Sequence, residues 1–110
     1  MGIYKIKLKS RKEVALNTME FRFTKPEGLE FKAGQFGDYT LSNPPETDEK
    51  GNIRGFSFSC APFEEDVLFT TRMEDTAFKR SMKKIPLGTE VTLDAPYGSF
   101  VSGNRSMKQA

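Results

Sequence analysis

The chain contains no histidine, no tryptophan and a single cysteine, Cys60, in 110 residues. Without imidazole there is no histidine base for a catalytic triad or dyad, and no His-containing zinc or haem site. One thiol excludes both a cysteine-only metal cluster and an internal disulfide framework, so no metal is expected, and a reducing, cytoplasmic setting fits. Long apolar runs are missing too. No run exceeds three residues, as in Val67, Leu68 and Phe69, far short of the roughly 20 residues that cross a bilayer. Lys5 and Lys7 interrupt the first residues, where a signal peptide would be continuously apolar.

Neither sign of charge dominates, with 17 Lys and Arg against 15 Asp and Glu and a net charge of +2. The densest basic group, Lys79, Arg80, Lys83 and Lys84, follows helical spacing and forms no stripe, so nucleic acid is not an expected partner. What is present is core material. Hydrophobic residues make up 36% of the chain and aromatic ones 12%, and a chain of about 100 residues buries well over half of its unfolded surface. One folded domain is expected.

Tyr4, Ile6 and Leu8 alternate with lysines, and Met19, Phe21 and Phe23 alternate with Glu20 and Arg22. This period of two predicts two strands, each with one wet face. Val14 and Leu16 have the opposite parity from Met19, so a bulge or turn near residues 16–18 must reset the facing. Further strands are expected over 35–41, with Asp38 disturbing the alternation, and over 53–60, 66–73 and 89–95. Residues 43–52, NPPETDEKGN, read as an exposed hairpin loop. Phe78, Met82 and Ile85 recur at helical steps after the cap candidates Asp75 and Thr76, and Pro86 and Gly88 end that helix. Six short strands with turn signals between them predict an all-β fold, a six-stranded antiparallel Greek-key barrel with one short capping helix. Residues 102–110 read as a linker-like tail after a domain over 1–101.

The segment Arg54-Gly55-Phe56-Ser57-Phe58-Ser59-Cys60-Ala61-Pro62 resembles the R-x-[YF]-[ST] signature of the ferredoxin–NADP reductase superfamily. Three further segments follow that family's order. Phe31-Lys32-Ala33-Gly34-Gln35-Phe36 is similar to its G-Q-F strand entry. Arg72-Met73-Glu74-Asp75-Thr76-Ala77-Phe78-Lys79 resembles its phosphate-binding turn and helix start. Ala95-Pro96-Tyr97-Gly98-Ser99-Phe100 resembles its closing motif.

The resemblance implies a flavin cofactor, FAD in preference to FMN, held by Arg54, Gly55, Phe56, Ser57, Arg72, Thr76, Ala77 and Phe78. Arg54 would bond phosphate oxygens through its planar fork. Its plainer alternative is an ion pair with the acidic loop just before it. Phe56, on the same face two residues on, would pack against the flavin ring or ribityl chain. Ser57 would take the catalytic place beside the flavin N5, although alternation puts it opposite Phe56. The helix start would offer free N–H groups to a pyrophosphate, with Arg72, Lys79 and Arg80 raising the local potential. Asp75 would oppose that fit unless it turns away. Tyr39 and Thr40 are candidate lining residues, and Cys60 reads as a buried, inert thiol.

The family continues into a Rossmann-like domain for NAD(P)H, and these 110 residues carry no G-x-G-x-x-G fingerprint. The expected partners are therefore an NAD(P)-binding domain or subunit and an electron acceptor, protein or small molecule. An exposed apolar barrel mouth would also favour a homodimer. The rival reading is a non-catalytic barrel that docks or regulates a partner without cofactor. Its sign would be an Arg54 committed to a protein carboxylate and a mouth filled by the protein's own side chains.

Overall fold

In the computed structural model, which describes residues 2–98, six strands and one helix follow one another as β1 (Gly2–Ala15), β2 (Thr18–Thr24), β3 (Phe36–Leu41), β4 (Ile53–Ser57), β5 (Asp66–Arg72), α1 (Ala77–Lys84) and β6 (Glu90–Tyr97). The strands form one sheet in the order β4-β3-β6-β1-β2-β5, every pair antiparallel. The mostly-β expectation holds. The barrel is loose, because the sheet is not closed by a ladder between β4 and β5. The gap is bridged locally. Ser59 N–H donates to the Leu68 carbonyl at 2.9 Å, and the Phe56 and Phe69 rings stack in parallel across it at 4.0 Å.

In β2, Met19, Phe21 and Phe23 are buried and the residues between them half-buried, as the alternation requires. The facing is reset by a tight turn in which Asn17 adopts a φ of 54°, a left-handed conformation that Asn tolerates better than most residues. Two register shifts also fall in β1, between Leu8 and Ser10 and between Glu13 and Ala15. In β3 the alternation is complete after all. Gly37, Tyr39 and Leu41 point inward, and Phe36, Asp38 and Thr40 lie on the outer face. The fourth strand stops at Ser57, short of 60. Beyond it the chain leaves β3, and Ser59 bonds β5.

The core centres on Phe21, Phe23, Tyr39 and Phe69, all fully buried, with Phe78 and Met82 of α1 packed into the same cluster. Each such side chain contributes about 1.5–3 kcal/mol by leaving water. Thr76 caps α1, its hydroxyl accepting from Lys79 N–H at 3.3 Å. At the other end Arg11 of β1 donates to the carbonyls of Met82 (3.1 Å) and Ile85 (2.5 Å). A guanidinium there satisfies free carbonyls and opposes the negative end of the helix dipole. No helix among the described residues is long and apolar enough to cross a membrane. The tail expected over 102–110, the domain limit at 101, and Ser99 and Phe100 of the closing segment lie outside the described residues.

Candidate functional site

Strand β4 sorts its signature residues by parity. Arg54 and Phe56 share one face, half-buried, while Ile53, Gly55 and Ser57 are exposed on the other. β4 lies at the edge of the sheet, so its second side is not covered by another strand. Phe56 packs against Phe69 at 4.0 Å, Tyr39 at 5.8 Å and Phe78 at 5.9 Å. The Arg54 guanidinium stands 5.5 Å from the Phe78 ring centroid, within reach of a cation–π contact. Three of the expected residues, Arg54, Phe56 and Phe78, therefore meet in one corner between β4 and the start of α1. Ser57 stands apart on the opposite face, as strand alternation demands. Gly55 lies on that face too, where a Cβ would come within 3.1 Å of Asp38 Oδ1 and 3.4 Å of the Phe36 ring.

Loop 43–52 joins β3 to β4 and is largely exposed, as expected, and two of its acids are nonetheless bound. Glu46 N–H donates to the Ser81 hydroxyl (3.1 Å), which in turn donates to the Glu46 carbonyl (3.0 Å). The Glu46 carboxylate binds Lys84 and Arg80, and these two, Lys84 first, hold it below the usual carboxylate range. Asp48 is placed more tellingly. Its Oδ2 accepts from the Ala77 N–H at the start of α1 (3.3 Å), its Oδ1 accepts from Lys50 N–H (2.9 Å), and that same Oδ1 lies 3.7 Å from Arg54 Nη2. The Lys50 N–H, then that of Ala77 and the Arg54 charge, hold this carboxyl low.

Arg54 is only partly satisfied. Nη1 donates to the carbonyls of Lys50, Gly51 and Ile53 at 3.1, 3.3 and 2.8 Å. Nη2 is buried and has no hydrogen-bond partner among the described residues. A buried donor left unmade costs free energy, and this one faces the Asp48 carboxylate without bonding it.

At the helix start Ala77 and Phe78 are buried and Thr76 half-buried. The Thr76 hydroxyl is used as the cap. Asp75 turns away, fully exposed, to pair with Arg80. Lys79 pairs with Glu74 at 3.0 Å and donates to the Arg72 carbonyl at 2.7 Å. Arg72 itself is exposed at the end of β5. Lys79 and Arg80 are thus each matched to a carboxylate, which reduces the field they lend the corner. Tyr39 is not a lining residue. It is fully buried among Phe23, Phe56 and Phe69, its hydroxyl has no partner among the described residues, and burial pushes its ionisation far up. Thr40 lies on the outer face. Cys60 is buried and its thiol pushed up by desolvation, as an inert thiol should be.

Sequence reasoning named the acidic loop before Arg54 without singling out Asp48, quoted Gln35 without its bracing role, and missed Glu46 and Ser81. The acidic run just before Arg54 was the available signal for Asp48. Gln35 is a brace. Its side chain accepts from Lys32 N–H (2.7 Å) and donates to the Gly98 carbonyl (2.9 Å), joining two of the resembling segments. Gly98 has a φ of 80°, and a Cβ there would strike the Phe36 ring at 2.9 Å, so only glycine serves.

No family model and no curated protein matches the chain. Solved structures do. A ferredoxin NADP+ reductase from Neisseria gonorrhoeae, with FAD and NADP bound, is 22% identical with a TM-score of 0.73, over 88% of this chain and 39% of that one. Phthalate dioxygenase reductase, described as a modular structure for electron transfer from pyridine nucleotides to [2Fe-2S], is 18% identical with a TM-score of 0.70, over 94% and 32%. A siderophore interacting protein from Acinetobacter baumannii is 15% identical with a TM-score of 0.69, over 92% and 43%. The described strands and helix therefore have the fold of one portion of ferredoxin–NADP reductase-type proteins. The chain spans less than half the length of each of these three.

Proposed function

We propose that residues 1–101 form the flavin-binding domain of a cytoplasmic oxidoreductase. It holds FAD in preference to FMN and relays electrons between NAD(P)H on a separate domain or subunit and an acceptor. The observation that carries this reading is the corner where the Ala77 N–H and Arg54 Nη2 both face one carboxylate. A helix start and a guanidinium aimed at the same point make a cradle for an anion. The likeness in fold to a reductase with bound FAD adds support.

The residues fit such a ligand. Arg54 carries a buried donor without a hydrogen bond, and the Thr76–Ala77 backbone already offers an N–H to a negatively charged oxygen. These groups would hold the phosphates, with the exposed Arg72 adding positive charge nearby. Phe56, with Gly55 beside it and the buried Phe78 beneath, would pack along the ribityl chain or ring. Ser57 would bond at N5, which asks the ligand to pass round the end of β4, and β4 is an edge strand that ends at Ser57. Bound flavin supplies hydride acceptance and onward electron transfer. The protein would bind it, orient it and offer the Ser57 hydroxyl to its reactive nitrogen.

The rival, a cofactor-free docking module, needs Arg54 committed to a carboxylate. At 3.7 Å and without a hydrogen bond from Nη2, that commitment is incomplete. Nothing among the described residues supports a homodimer.

The test is absorbance and thermal shift on the purified chain with FAD, FMN and riboflavin. The expected result is uptake of FAD with a flavin spectrum. A colourless protein stabilised by none of the three refutes the proposal. Arg54→Ala is expected to weaken FAD by about tenfold or more while changing riboflavin little, because a charge-assisted bond is lost only where phosphate is present. Equal losses for both would remove Arg54 from the phosphate site.

A further inference from the structure

Asp48 is an acid in a place built for an acid that belongs to something else. Its carboxylate meets the first N–H of α1 at 3.3 Å and faces the Arg54 guanidinium at 3.7 Å. A phosphate held by this corner would use those same two groups. Both cannot be served at once, because the Ala77 N–H is a single donor and two anions crowded beside one guanidinium repel each other.

The segment carrying Asp48 is anchored at both ends, and its Lys50 and Gly51 carbonyls also accept from Arg54 Nη1. On one side Glu46 is fixed to the buried Ser81 hydroxyl through both its N–H and its carbonyl. On the other, Asn52 is fixed to Leu41, whose N–H donates to the Asn52 carbonyl at 3.0 Å and whose carbonyl accepts from the Asn52 side chain. Between these anchors, residues 47–50 are exposed. The Asp48 hold on the corner consists of polar contacts alone, one of them a long ion pair, and water replaces such contacts readily.

We infer that Asp48 is an internal stand-in for phosphate, an autoinhibitory contact that a phosphate-bearing ligand must displace and that sets this domain's discrimination between phosphorylated and unphosphorylated flavins. This rests on the flavin reading above and deepens it. Asp48 keeps Ala77 N–H and the Arg54 charge occupied while the site is empty of ligand. It weakens FAD and FMN, which must evict it, and leaves riboflavin, which presents no phosphate, unaffected. Residues 47–49 are the moving part, while the helix, β4 and the Arg54 hold on the Lys50 and Gly51 carbonyls stay in place.

The test compares the natural chain with Asp48→Asn and Glu49→Gln. Asn keeps the size of the side chain and removes its charge. Glu49, exposed on the same loop, controls for a general change in net charge. FAD and riboflavin are titrated by fluorescence, and inorganic pyrophosphate by the amide resonance of Ala77. Asp48→Asn is expected to bind FAD and pyrophosphate about tenfold tighter, the worth of one charge-assisted contact. Riboflavin should be unchanged, and Glu49→Gln should match the natural chain throughout. Unchanged or weaker FAD and pyrophosphate binding in Asp48→Asn overturns the inference, as does an equal gain in Glu49→Gln. If no variant binds any flavin, yet Asp48→Asn alone gains pyrophosphate, the flavin reading falls and the displaceable carboxylate stands.

Discussion

Two sides of the molecule are held by different physics. On one, β2 and β5 pair without a break from Thr18–Arg72 to Thr24–Asp66, and their inner faces stack Phe21, Phe23 and Phe69 at centroid distances of 5.2 to 5.7 Å. On the other, loop 43–52, the start of α1 and β4 are joined by carboxylates, ammonium groups and hydroxyls, and β4 has no fully buried residue. The first side gains its stability from apolar burial, which does not depend on direction. The second gains little from its exposed ion pairs. What those pairs provide is arrangement: they point donors at a place where an anion can sit. Apolar stability and the candidate site are thus divided between the two edges of one sheet.

The division can be broken hardest on the apolar side. Phe69→Ala removes a ring packed against Phe21, Phe23, Tyr39 and Phe56, and is expected to cost about 3–5 kcal/mol by denaturant unfolding. A loss below about 1 kcal/mol would mean that this side is not the stabilising one. At the seam, Ser81 is the buried polar residue whose hydroxyl serves both backbone groups of Glu46. Ser81→Ala should cost about 1–2 kcal/mol, and raise amide exchange over loop 43–52 more than over β2. Uniform exchange changes would show that Ser81 does not fix the loop. The smallest effect reverses sign. Tyr39 brings an unpartnered hydroxyl into the apolar side, so Tyr39→Phe is expected to raise stability by about 1 kcal/mol. A destabilised Tyr39→Phe would reveal a partner for that oxygen.

The apolar side was also the legible one. Alternation in Met19, Phe21 and Phe23 reports burial directly, because side chains on a strand change face at every residue. The same rule correctly separated Ser57 from Phe56. Legibility ended where pairing partners change. Phe58 and Cys60 continue the alternation of β4 and are both buried. Yet Phe58 N–H still bonds Gln35, while Ser59 N–H bonds Leu68 of β5, and no local pattern marks that switch. Bulges in β1 depend on the register of a neighbour and were readable only as a parity conflict. Loop 43–52 is exposed as its sequence implies, but its bonding was illegible for a related reason. Its charges look solvated in sequence, and the groups that bind them, Ser81, Arg80 and Lys84, lie more than 30 residues further along. For the candidate site, the residue types on β4 and at the helix start were readable, as was an acidic-loop partner for Arg54; that this acid is Asp48, and that it also takes the Ala77 N–H, became visible only in three dimensions.

Arg11 gives the helix a fixed footing. It grips the last turn of α1 from β1, a strand flanked on both sides by neighbours in the sheet. An anion taken up at the opposite end of the helix, as proposed, would push against a post rather than a hinge. On the inference above, what would yield to an incoming anion is the exposed stretch carrying Asp48, with the helix held at its far end.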